Sequence, residues 1–345
     1  MVTATIAPSG RPIWARASGT VAMTSKISGV PDLLLILSGA GGGYGKTMST
    51  IKFPVFHPCV RIVRWKERPG ELSFVPPDGK FVLASYEADL LPNPTFSMTS
   101  PKSPQLQLPV TVEIKKSLGE YGSEFEVRVL TNPLPGGQNN NSSPSSPFPR
   151  AIGGRGPGSP AFGGSSNNPA MEDVAITIPL APGIKTLVNT KASRGEWHYE
   201  KGTVSWKIPM SGGANAAAGT ATFRTGIALK ASYDEGSDED TDEEEEEDAV
   251  SDSGDYDDGS KPVLPKVLTK KKEEAQEARL QRRKAKMEAM MPRSVLVDFS
   301  VKGWLASGVK VDSLQVVHGK GLVEGVKPYK GVKYLTKAGG VEVRC

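Results

Sequence analysis

The chain has 345 residues, enough for one large domain or two ordinary ones, with 42 Lys+Arg against 38 Asp+Glu and a formal charge of +4. Two cysteines without a CxxC spacing and three isolated histidines argue against a disulfide framework and a zinc site. The longest purely apolar run, Leu33–Leu37, falls far short of the ~20 residues that cross a bilayer.

The near balance of charge conceals a segregation. Residues 234–258 hold 16 acids and no Lys or Arg, so the remainder carries +20. Residues 261–293 add 11 Lys/Arg against 4 Glu, which leaves +13 on the rest. A basic folded surface predicts an anionic partner such as a phospholipid membrane face. Nucleic acid is not expected, because 261–293 has no aromatic residue to stack on bases. The opening MVTATIAPSG lacks a basic region followed by a long apolar core, and the ending Val-Arg-Cys does not fit prenylation. The expected location is cytoplasmic.

In chain order, "GTVAMTSKIS" alternates from Gly19 to Ser28 and reads as a strand. The apolar run before Ser38 leads into Ala40-Gly-Gly-Gly-Tyr-Gly-Lys46-Thr47, a loose match to a phosphate-binding loop with Ala40 in place of the first glycine. Such a loop needs a helix starting near its lysine, whose N-terminus faces the phosphates. The residues after Thr47 are MSTIKFPVFHPCVRIVRW. Pro54 and Pro58 break a helix, and Ile51, Phe53, Val55, Val60, Ile62 and Val63 favour strands. Asp298 is a candidate Mg²⁺ aspartate, about 250 residues away with no βαβ pattern between. A P-loop NTPase is thus carried as an alternative, and a glycine-rich loop with an exposed Lys46 as the main reading.

"ELSFVPPDGKFVLASY" predicts two strands around Pro76-Pro-Asp-Gly79, where proline presets φ and glycine accepts a positive value. His57 and Cys59 in "FHPC" would share a strand face, but no third group suggests catalysis, and no enzyme is expected. "PVTVEIKKS" and "SEFEVRVLT" alternate on either side of Gly119–Gly122. Residues 133–170, rich in Gly, Pro, Ser and Asn, are expected to be disordered. "DVAITIPL", "GTVSWKIPM" and "GTATFRTGIALKAS" are further strands. In and beside the acidic tract, Ser232, Ser237 and Thr241 each precede an acid by three residues and are candidate phosphosites. Residues 270–291 then predict a solvated helix whose few large apolar residues are Leu280, Met287, Met290 and Met291. "RSVLVDFSVKGW", "VKVDSLQVV" and "GVKYLTKAGGVEVRC" are closing strands. Trp65, Trp197, Trp206 and Trp304 are expected in cores, and Trp14 exposed. Many short strands with turn signals between them predict an all-β sandwich architecture.

Three stretches carry a resemblance: "KISGVPDLLLIL" (Lys26–Leu37), "FHPCVRIVRWKERPGELSFVPPDGKFVLASY" (Phe56–Tyr86) and "ASGVKVDSLQVV…YKGVKYLTKAGGVEVRC" (Ala306–Cys345). Together they resemble the C-terminal mu homology domain of the medium subunits of vesicle-coat adaptor complexes, most closely that of the third complex. The resemblance implies an elongated all-β domain of two sandwich subdomains, one from 1–107 plus 306–345 and a second, 108–305, inserted into it. The low-complexity segment 133–170 and the acidic/basic stretch 234–292 become long insertions. It implies no enzyme and no cofactor, but recognition of Tyr-x-x-Φ sorting signals (Φ a bulky apolar residue) on cytosolic tails of membrane cargo, between Golgi or endosome and lysosome or vacuole. It implies assembly with two large chains and a small chain, peripheral on the cytosolic face of Golgi and endosomal membranes and coated vesicles.

By position, the family's peptide-binding edge falls on Lys330, Gly331, Val332 and Lys333, and its Φ pocket on Val311, Leu314 and Val332. In an ideal strand Val311 and Leu314 would face opposite ways, so a shared pocket requires a bulge or twist. A family lysine falls at Thr24 and a family tryptophan at Gly331. The family arginine that stacks on the tyrosine ring is Lys333, which lacks the planar fork. The family's aromatic and aspartate of the tyrosine pocket align before Met1. A stonin- or coatomer-delta-type scaffold that does not read tyrosine is the related alternative.

Overall fold

The computed structural model describes residues 1–26, 29–39, 50–91, 106–119, 121–134, 169–210, 219–230, 266–320 and 331–345. The tract at 234–258 and its candidate phosphosites Ser232, Ser237 and Thr241, the segment 135–168 and Lys330 lie outside them. Among the described residues the fold is all-β, with sixteen strands in three sheets.

The N-terminal part supplies β1 (Val2–Ile6), β2 (Pro12–Ser25), β3 (Val30–Ser38), β4 (Lys52–Phe56), the short helix α1 (Ile62–Glu67), β5 (Glu71–Phe74) and β6 (Gly79–Asp89). The middle supplies β7 (Val110–Leu118), β8 (Glu124–Thr131), β9 (Ala170–Pro179), β10 (Ile184–Ala192), β11 (Glu196–Glu200), β12 (Thr203–Pro209) and β13 (Thr220–Leu229). Helix α2 (Lys266–Met290), β14 (Ser294–Lys302), β15 (Lys310–Lys320) and β16 (Leu335–Arg344) complete the chain.

A nine-stranded sheet runs β11-β12-β9-β14-β16-β1-β2-β6-β4, and β1 lies parallel to β16 within it. Two smaller sheets accompany it, β10-β13-β8-β7 and β15-β3-β5. Alternation fills the space between layers. Val204, Trp206 and Ile208 of β12 are buried while Ser205 and Lys207 are exposed. The Trp206 ring lies 5.6 Å from Phe223 of β13, and its Nε1–H donates to the Arg194 carbonyl at 2.8 Å. On the other small sheet Leu33, Leu35 and Leu37 of β3 are buried in alternation.

Several expectations need correction. Pro76–Gly79 does turn the chain, but β5 and β6 join different sheets rather than pairing as a hairpin. Ile62 and Val63 lie in a helix, not a strand. Arg64 bonds the buried Glu71 through Nε at 2.7 Å, and Trp65 is buried, so one side of the turn is fastened to β5 and the core. Just before it, the Arg61 N–H donates to the Ser73 carbonyl, and Arg61 Nη1 reaches Asp32 at 2.6 Å and Ser73 Oγ at 2.8 Å. The "FHPCVR", "GVPD" and "ELSF" stretches thus meet at one guanidinium. Trp197 is not in the core. It is 40% exposed on the edge strand β11, with its ring edge-on to Phe223 at 6.0 Å. Helix α2 is not solvated throughout. Met287 is buried, as is Met291 just past the helix end, and Arg283 stacks over Tyr121 at 5.2 Å, while Leu280 stays exposed.

The phosphate-loop requirement fails in the topology. β4 begins at Lys52, so fewer than two helical turns fit after Lys46. β3 and β4 lie in different sheets, so no parallel βαβ unit forms around the glycines. Asp298 is exposed on β14.

Candidate functional site

A cleft of about 670 Å³ opens between the nine-stranded sheet and the β15-β3-β5 sheet. Its apolar floor includes Leu35, Leu37, Leu83, Val311 and Leu314. The pairing of β15 explains how the last two share it. Val311 pairs with Leu37, Ser313 with Ile36 and Leu314 with Leu35, so Asp312 is an extra residue in a bulge. The bulge resets the alternation and turns Leu314 to the face of Val311, above the buried leucines of β3. The Asp312 carboxylate accepts a bond from Ser38 Oγ at 2.7 Å. A second irregularity, between Val316 and His318, ends the run.

The segment 331–334, ahead of β16, forms one lip. Val332 and Tyr334 are half-buried, and Gly331 and Lys333 are exposed. The Tyr334 hydroxyl accepts the Val311 N–H at 3.2 Å, which ties this lip to the bulged strand. Thr336 is buried and donates through Oγ1 to the Trp304 carbonyl at 2.7 Å. Deep in the cleft Tyr86 of β6 lies across Gly19, its register partner on β2. A Cβ built at Gly19 would stand 2.3 Å from the Tyr86 ring, so only glycine lets the ring lie there. The Tyr86 hydroxyl exchanges a 2.9 Å hydrogen bond with Ser307 Oγ. Burial pushes the phenol pKa up, and the Ser307 bond partly opposes this.

Of the residues singled out from sequence, Thr24, Val311, Leu314, Gly331, Val332 and Lys333 all line this cleft. The sequence reading missed Gly19, Tyr86, Ser307 and Tyr334. The Gly19–Tyr86 partnership depends on the β2–β6 register, which no local signal carries. The ionic residues of the lining are Lys310 and Lys333, apart from the Met1 amine. Thus the described walls are apolar, hydroxyl-bearing and cationic, suited to an extended peptide with apolar anchors.

His57 and Cys59 make a turn rather than a reactive pair. His57 Nδ1 accepts the Cys59 N–H at 3.2 Å, and the ring packs 5.3 Å from Phe81. Burial raises the Cys59 thiol pKa, the opposite of an activated nucleophile. Among the described residues no group of three or more His, Cys, Asp and Glu side chains is placed to hold a metal ion, and no helix is long and apolar enough to cross a membrane.

Comparison with known proteins agrees with this architecture. A mu subunit of the AP-3 complex from Schizosaccharomyces pombe is 34% identical over 128 residues, 37% of this chain and 25% of its own length. The AP-3 mu subunit of Eremothecium gossypii is 24% identical over 341 residues, 95% of this chain and 51% of its own. The chain therefore spans about half or less of the length of these relatives. Among solved structures, a homology model of the full-length AP-3 complex in an intermediate open conformation superposes with a TM-score of 0.52 at 17% identity, covering 100% of this chain and 66% of the other. The family profile matches residues 1–345, and the chain belongs to the adaptor complexes medium subunit family.

Proposed function

We propose that the chain selects membrane cargo by binding Tyr-x-x-Φ signals on cytosolic tails, within a coat that carries it toward the lysosome or vacuole. The observation that carries this reading is the bulge at Asp312. It brings Val311 and Leu314 together beside Val332, so an apolar pocket sits against the lip that offers backbone groups at 331–334. An extended peptide gains affinity from main-chain hydrogen bonds and specificity from such alternate pockets. Lys333, exposed beside the pocket, supplies a cation for the face of a tyrosine ring.

Residues 1–107 with 306–345 form the signal-binding unit in this proposal, and 108–305 the unit inserted into it. Two large chains and a small chain are the proposed partners, and the relatives named as mu subunits of an AP-3 complex support assembly with other subunits. The proposed location is peripheral, on the cytosolic face of Golgi or endosomal membranes, with anionic phospholipid facing the basic surface.

The test is a calorimetric titration of the chain with a Tyr-x-x-Φ peptide and its Tyr→Ala control. Tyr-dependent binding that Val332→Ser weakens supports the reading. Absence of binding to folded protein overturns it and favours a mu homology scaffold that does not read tyrosine.

A further inference from the structure

We infer that the acidic tract 234–258 lies along one face of helix α2 and neutralises it, an electrostatic clasp within the chain that screens the helix from other anions. This is independent of what the cleft binds. Helix α2 has 25 residues, a length of about 37 Å, and its side chains from Gln276 to Ala285 are all exposed. Met287 and, just past the end, Met291 fasten its C-terminal turn, and Arg283 stacks on Tyr121. The exposed turns bury no apolar stripe of the kind that holds most helices in a fold.

What those turns sort is charge. Arg279, Arg282, Arg283 and Lys286 stand at i, i+3, i+4 and i+7 and share one face. Glu277 and Glu288 fall on the opposite side, with Lys284 beside them and four residues from Glu288. No position three or four residues from any of the four clustered cations holds an acid. Arg279 repels Arg282 and Arg283, and Lys286 repels the same two, so the helix forms there against its own charge. A face built in this way calls for a polyanion.

The chain just upstream supplies one. Residues 234–258 carry 16 acids and no Lys or Arg, with the unbroken run Asp242–Asp248 among them. Arg279 and Lys286 lie about 20 and 30 Å along the axis from the helix start at Lys266. The linker 259–265 spans at most about 25 Å, and each tract residue adds about 3.4 Å, so the acids reach the whole face. The tract is held at both ends, by β13 ending at Leu229 and by α2 beginning at Lys266. Such tethering gives an effective concentration in roughly the millimolar range, which a separate anion has to outcompete.

The test compares the 345-residue chain with a variant in which every Asp and Glu of 234–258 becomes Asn or Gln. Hydrogen exchange of the amides at 279–286 should run at least about fivefold faster in the variant, the equivalent of about 1 kcal/mol in opening, with exchange in β3 unchanged as the check of folding. Salt gives a second readout that needs no substitution. Raising NaCl from about 0.05 to about 0.5 M should speed these amides in the native chain, where it screens the clasp. It should slow them in the variant, where only self-repulsion is left to screen. Vesicles of phosphatidylserine and phosphatidylcholine show whether the face is covered. The variant should bind them at least about tenfold more tightly at low salt, and adding Arg279→Gln with Arg282→Gln should remove most of that gain. Equal exchange in the two chains, with no opposite response to salt, overturns the clasp. Equal vesicle binding by the two chains, or a gain that survives the arginine substitutions, overturns the screening of this face from membrane.

Discussion

Replacing Gly19 with alanine tests how the cleft is held open. The added Cβ would lie 2.3 Å from Cζ of Tyr86 and 2.6 Å from its hydroxyl oxygen, so the ring must leave. Tyr86 is 7% exposed and bonded to Ser307. Losing that bond costs about 1 kcal/mol. Re-exposing part of the ring costs about 1–2 kcal/mol more, against ~1.5–3 for an aromatic side chain fully buried. Gly19→Ala should therefore destabilise by about 2–3 kcal/mol, measured as a shift in urea midpoint followed by tryptophan fluorescence. The sign should reverse once the ring is gone. In a Tyr86→Ala background the alanine meets no ring, and a strand prefers it to glycine by about 0.5–1 kcal/mol. The cycle thus predicts a coupling of about 3 kcal/mol, well outside the ~0.5 kcal/mol scatter of independent sites. Additive single and double variants would refute the claim that Gly19 exists to receive the Tyr86 ring.

The Tyr86 phenol also sets an alkaline limit. Its folded pKa is raised, so between the unfolded value near 10 and the folded one the native state holds the extra proton. Its contribution is complete below about pH 10 and falls as pH rises through the folded pKa. Tyr86→Phe should flatten that part of a stability-versus-pH curve. Gly195, at φ +82 with a Cβ site 2.1 Å from the Lys207 carbonyl oxygen, should lose at least about 2 kcal/mol on Gly195→Ala. Gly10→Ala, at φ +78 with open space around it, should lose only about 1 kcal/mol in the same urea-unfolding measurement. Met287→Ala should speed amide exchange along α2 without moving exchange in β3 or β15, because that side chain fastens the helix end. Both cysteine thiols are shifted up by burial, so at about pH 8 each should react with a disulfide reagent more slowly than in the urea-unfolded chain.

Most of the strands were legible because one face of each is buried, and burial writes alternation into sequence. β12, with Val204, Trp206 and Ile208 inward, is the clear case. β10 and β11 were not legible. Both are edge strands with little buried surface, and β10 carries Asn189 at a positive φ, so selection for alternation is weak there. The strand-like run Val60–Val63 misled for a different reason. Local β-preference was overridden by Arg64 bonding Glu71 and by the burial of Trp65. At the cleft, alignment located Val311 and Leu314, but ideal alternation set them on opposite faces. Their shared face depends on one extra residue in β15, a property of pairing that the sequence of β15 does not itself display.

The β14–β16 ladder joins strands from the two proposed sequence units in a single sheet, with β14 on one side of the join and β16 on the other. Such a join behaves differently under load depending on direction. Tension along the strands stresses the ladder in shear, and its hydrogen bonds resist together. Tension across the strands would peel them one by one. If the lip at 331–334 holds a cargo tail as proposed, a pull along β16 loads the molecule on its stiff axis, without parting the two proposed units.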